Sequence, residues 1–73
     1  MDLLGAPNKS LLQVILISDE KLLTDALRFG IEAGDEIRII NKLPGGPVVI
    51  QKTEQQIAIG RELARVIQVK VVG

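Results

Sequence analysis

Between residues 27 and 71 apolar side chains recur at every second position, and four glycine-centred breaks interrupt them. That is how a small closed sheet buries one face. Ahead of it, residues 10–17 (SLLQVILI) carry leucine and β-branched side chains on both parities. This predicts a first strand that is covered on both sides or packed under a helix. A helix follows, because Ser18 or Asp19 can cap free N–H groups and Asp19 and Glu20 suit the positive end of the helix dipole. Leu22, Leu23, Ala26 and Leu27 fall on one face, with Lys21, Thr24, Asp25 and Arg28 on the other. Gly30 supplies the left-handed residue that ends the helix, and Ile31 folds back onto its last turn.

Beyond the turn at Ala33-Gly34-Asp35, Ile37 and Ile39 point inward from a half-buried strand while Glu36 and Arg38 point out. Pro44-Gly45 suits the two central positions of a type II turn. Pro47 opens a return strand to Lys52, at a position where no ladder donor is needed. Thr53-Glu54-Gln55 turns into a strand with Ile57 and Ile59 inward, and Gly60 breaks it. Residues 61–64 are too short for more than one helical turn, with Leu63 as a plug over the barrel mouth. The last strand, residues 65–72, alternates Ile67, Val69 and Val71 against Gln68 and Lys70. Residues 1–9, crowded with Gly5, Pro7 and Asn8, read as a loop or a frayed edge strand. The expectation is a mainly β barrel of about five strands. One short helix lies between the first and second strands, and a one-turn helix precedes the last. A single domain covers residues 1–73.

Composition restricts what holds this together. A chain of 73 residues buries only about 60% of the surface it exposes when unfolded. Cysteine is absent, so no disulfide and no thiolate metal site can help. Stability must come from aliphatic packing, roughly 1.5–3 kcal/mol per buried Leu, Ile or Val. Hydrophobic residues make up 47% of the chain, and Phe29, the lone aromatic, is placed at the helix end in the core. Some apolar surface has no room inside, which implies an oligomer or a docking partner over it. Nine basic and nine acidic residues cancel, so the basic excess of a nucleic-acid binder is missing. There is no basic leader, and no apolar run approaches the ~20 residues needed to cross a bilayer. The chain reads as cytoplasmic, without membrane insertion.

Reactive chemistry has few candidates. Ser10, Ser18, Thr24 and Thr53 have no histidine base anywhere in the chain. Glu32, Asp35 and Glu36 cluster at a turn, and carboxylates suit hard cations, but without a spaced ligand motif they read as solubilising charge. Arg38, Lys42, Lys52, Arg61, Arg65 and Lys70 lack the aromatic platforms on which bases stack. No glycine-rich phosphate loop ending in lysine and serine or threonine is present. No enzyme activity, cofactor, metal or nucleic-acid partner is expected. Leu43, Pro44, Gly45, Gly46 and Pro47 form the best partner-contact candidate, an exposed leucine beside two prolines that stiffen it, so that docking loses little entropy. A second is the terminal strand, where Val71 and Val72 leave an unpaired edge.

The ordered series resembles the ferrous iron transport protein A (FeoA) family and the similar domain at the C-terminus of iron- and manganese-dependent repressors. The likeness rests on Leu27-Arg28-Phe29-Gly30-Ile31 with Gly34 following, on Glu36-Ile37-Arg38-Ile39, and on Gly46-Pro47. It closes on residues 57–64 (IAIGRELA) and on Val66-Ile67-Gln68-Val69, so it covers roughly residues 10–71. The N-terminal Leu3-Leu4-Gly5-Ala6-Pro7-Asn8 departs from the family's opening. What the resemblance implies is an SH3-like barrel that is a non-enzymatic cytoplasmic accessory of ferrous iron uptake. Its implied partner is the cytoplasmic part of the membrane GTPase permease. The alternative is a stand-alone regulatory module related to the repressor domain, and either is compatible with a homo-oligomer.

Overall fold

Leu11–Ile17 forms β1, Glu20–Arg28 α1, Glu36–Lys42 β2, Val48–Lys52 β3, Gln55–Ile59 β4, Arg61–Ala64 α2 and Ile67–Val71 β5 in the computed structural model, which describes residues 1–73. The strands make one antiparallel sheet in the order β4-β3-β2-β1-β5. Register shifts between Val14 and Leu16 in β1 and between Ile39 and Asn41 in β2 add a residue to each strand. Such bulges bend a strand and sharpen its twist. Two of them in the adjacent interior strands β1 and β2 let so short a sheet curl around its core as an SH3-type barrel.

Local signals set the ends of α1. Asp19 has extended backbone angles, and its Oδ1 accepts from the N–H groups of Lys21 and Leu22 at 2.9 and 3.0 Å. At the other end Gly30 takes φ +82°, Ile31 N–H donates to the Ala26 carbonyl at 2.9 Å, and Gly30 N–H donates to Leu27 at 3.0 Å. This is the paired closure of a Schellman motif, and it drives the Ile31 side chain into the core. Fifteen residues are buried, all aliphatic, from every strand and both helices. No polar side chain is among them, so cohesion is apolar packing and the interior holds no chemical group.

Several expectations from the residue pattern need correction. The first strand packs against α1, as one of the two alternatives has it, but it is not covered on both sides: Leu12 and Val14 are buried, whereas Ile15 and Leu16 are 43% and 47% exposed beside the bulge. On α1 only Ala26 is fully buried; Leu22 is half-buried, and Leu23 and Leu27 face solvent. A nine-residue helix over so narrow a barrel buries one small residue, and its larger neighbours flank the contact. Phe29 is not in the core but 47% exposed, because the chain reverses at Gly30 immediately after it. Val71 is exposed at the end of its strand rather than inward.

The N-terminal segment is neither a free loop nor frayed. Leu3 and Ala6 are fully buried. Leu3 N–H donates to Ile67 at 2.9 Å, and Val69 N–H donates to Met1 at 2.8 Å, so Met1 to Leu3 pair with the outer side of β5. Lys42 Nζ reaches across to the Leu4 carbonyl at 2.7 Å. The edge expected to stay open at the terminal strand is therefore covered over Ile67 to Val69, and Lys70 to Gly73, with the exposed Val71 and Val72, extend past it.

Candidate docking site

The β2–β3 hairpin ends in Leu43-Pro44-Gly45-Gly46-Pro47. Leu43 N–H donates to Pro47 at 3.1 Å and Gly46 N–H donates back to Leu43 at 2.8 Å. Pro44 and Gly45, the latter at φ +69°, occupy the two central positions, as a type II turn requires. Two backbone bonds and two prolines stiffen the tip, and Lys42 anchors its base to the N-terminal segment. Leu43 stays 43% exposed at the end of this arm. The tip presents an apolar side chain on an ordered support and offers neither acid nor base.

The acidic turn is organised differently from a cation site. Asp35 Oδ2 accepts from Lys52 Nζ and from Glu32 N–H, each at 2.9 Å, and Lys52 also donates to the Gly30 carbonyl. Lys52, on the last position of β3, thus holds the whole loop between α1 and β2. No three carboxylates gather closely enough to hold a cation. Burial alone would raise the Asp35 pKa, but the Lys52 hydrogen bond, the Glu32 N–H and the Lys52 charge outweigh it, so the carboxyl titrates below its ordinary 3.8. A carboxylate held below its unfolded value stabilises the fold above that value, and the contribution is lost as pH falls through the lower, folded value. Urea titrations should therefore show stability falling from just above pH 4 downward, and Lys52→Met should flatten that limb. An unchanged acid limb in Lys52→Met would mean that the pair does not hold the loop.

Of the six candidate basic residues, Arg38, Lys42 and Lys52 are tied to their own chain, whereas Arg61, Arg65 and Lys70 are exposed and make no side-chain hydrogen bond or ion pair within it. Arg38 Nη1 donates to the Lys9 carbonyl at 3.0 Å, Lys9 Nζ to Ile40, and Lys42 and Lys52 to Leu4 and Gly30. These cations fasten loops of their own chain to the sheet.

A second surface was missed by reasoning from the residues. A groove of about 360 Å³ lies between α1 and α2, lined by the apolar Leu22, Phe29 and Leu63, by the charged Asp25, Arg28 and Glu62, and by Gly60. Leu63 does plug the barrel, being 6% exposed, and its outer surface forms part of this groove. The signal was present in α1: Leu22, Leu23, Ala26, Leu27 and Phe29 make an apolar arc of about 160° on a 3.6-residue helix, wider than one short helix buries on so small a barrel.

A family model described as the FeoA domain matches residues 1–71. Among solved structures, an iron uptake regulatory protein (FeoA) is similar at TM-score 0.88 and 22% identity, covering 99% of this chain and 97% of that one. The iron(II) transport protein A from Clostridium thermocellum is similar at TM-score 0.85 and 26% identity over 99% of this chain and 46% of that one. The manganese regulator SloR gives TM-score 0.87 at 19% identity, with this chain covering only 34% of it. No curated protein sequence matches. No helix is long and apolar enough to cross a membrane.

Proposed function

Since the chain belongs to the FeoA family, whose members are non-enzymatic accessory domains associated with ferrous iron transport, we propose that it binds the cytoplasmic GTPase part of a membrane ferrous iron permease and modulates uptake, with residues 1–73 acting as one FeoA-type unit in the cytoplasm. The observation that carries this reading is the family match over residues 1–71. The stiff tip at Leu43, Pro44, Gly45, Gly46 and Pro47 supports it, because an apolar side chain already fixed in place loses little entropy on docking. The aliphatic core supports the non-chemical half of the reading, since modulation then works through contact alone.

Leu43→Asp should leave thermal stability within about 0.5 kcal/mol, because the side chain is already largely in water, and should weaken binding to the permease's soluble GTPase domain at least tenfold. Calorimetric titration of both proteins checks this, alongside iron uptake in a deletion strain. No binding at high micromolar concentration, with normal uptake in that strain, overturns the reading.

A second reading, a stand-alone regulatory module, is favoured by the likeness to SloR. Genome neighbourhood separates the two. A gene for a large membrane GTPase nearby supports transport, and one for a winged-helix repressor supports regulation.

A further inference from the structure

We propose that the outer edge of β4, together with the groove at Phe29, takes up an extended peptide segment of another protein, one carrying a large apolar residue beside a lysine or arginine. This surface is separate from the Leu43 tip and does not depend on which protein the tip contacts.

Backbone parity shows which groups β4 leaves free. Pro47 directs its carbonyl to Leu43 on the β2 side. Residues 47, 49 and 51 therefore face β2, and Val48, Ile50 and Lys52 face β4, where their partners are Ile59, Ile57 and Gln55. The intervening Gln56 and Ala58, and Gly60 beyond them, turn their backbone groups away from β3, and no other strand lies on that side. The Gly60 carbonyl is taken by Ala64 N–H at 2.9 Å, but its own N–H has no partner. Donors and acceptors at alternate residues, roughly 6.6–6.8 Å apart, match the repeat of an extended chain.

The two edges of the sheet are treated differently. The outer side of β5 is covered by Met1 to Leu3. The outer side of β4 has none of the usual protection against pairing: QQIAI carries no charge and no proline, and its five pairs with β3 run without a bulge. Gln56, Ala58 and Gly60 are all exposed.

At Gly60 this edge runs into the groove, so a strand added to β4 leads one of its side chains toward Leu22, Phe29 and Leu63. The charged lining determines the charge of the occupant. The Asp25 and Glu62 carboxylates face a single guanidinium, Arg28, and neither is in an ion pair, the one ion pair being Lys52 with Asp35. A cation beside the apolar anchor completes the set. A second copy of this chain fits less well, because edge-to-edge pairing of β4 presents Gln56 and Ala58 and leaves the groove empty.

The test selects a displayed library of random twelve-residue peptides against the full chain and titrates the enriched peptides into ¹⁵N-labelled protein. Enrichment of a large apolar residue next to lysine or arginine is expected, with amide shifts at Gln56, Ala58, Gly60 and Phe29. Gly60→Pro should cut affinity at least tenfold while the protein stays folded. Its φ is −62°, the residue before it is extended, its N–H serves nothing in the fold, and an added Cβ meets nothing within 4 Å. Glu62→Lys, on the exposed face of α2, should weaken the same peptides. No enrichment, binding indifferent to Gly60→Pro, or shifts confined to residues 43–47 would overturn the proposal. A concentration-dependent dimer with shifts along β4 would also overturn it, assigning the edge to a second copy. The permease titration uses a different ligand and a different variant, so failure there leaves this result readable.

Discussion

Leu3→Ala is expected to lower the stability of this protein by about 2–5 kcal/mol, the usual range for truncating a fully buried leucine. Total stability for a chain of this length is roughly 4–11 kcal/mol at 0.05–0.15 kcal/mol per residue, so the loss would be a large fraction of it. Leu3 is wholly inaccessible, and its backbone N–H joins the edge of β5 through Ile67. Losing the side chain leaves a hole between the N-terminal segment and the barrel. It also weakens the anchor that keeps Met1 to Leu3 on the strand edge. Thermal unfolding should show a fall of at least about 8 °C, since 1 kcal/mol shifts a domain of this size by about 4–8 °C. A melting temperature within a degree or two of the parent would mean that the segment packs loosely and the barrel is complete without it.

Gly30→Val should cost about 1–3 kcal/mol by a different route. A β-branched residue at φ +82° is strained whatever space surrounds it. Space is not the issue, because a Cβ added here meets nothing within 4 Å. The strain falls on the two bonds that close α1 and on the carbonyl that Lys52 grips. Gly30→Asn should cost less, because asparagine tolerates the left-handed region better than valine does. Denaturant midpoints for the pair separate backbone strain from crowding. Equal losses, or none in valine, would show that the helix does not end through this residue.

Much of the architecture was legible because its signals are local. Asp19, one of the two candidate caps, Gly30 as stop, Pro44-Gly45 as turn and the alternation of Ile37 with Ile39 each act through neighbours within four residues, and the structure uses each of them. The hairpin tip was readable for the same reason. The Phe29 groove was not, because its walls are contributed by α1 and by the segment after β4, some thirty residues apart along the chain. Alternation tells which parity faces inward, but not where a bulge switches it, so Ile15 and Leu16 were placed under cover that they lack.

The amino-acid sequence by itself determined an aliphatic five-stranded barrel with two helices and no reactive interior, since periodicity, caps and turn residues are properties of short stretches. Only the tertiary structure decided that Leu3 belongs to the core, that Phe29 does not, and that one sheet edge is sealed while the other stays open. Those outcomes depend on which distant segments meet, and burial is a property of the meeting rather than of the residue.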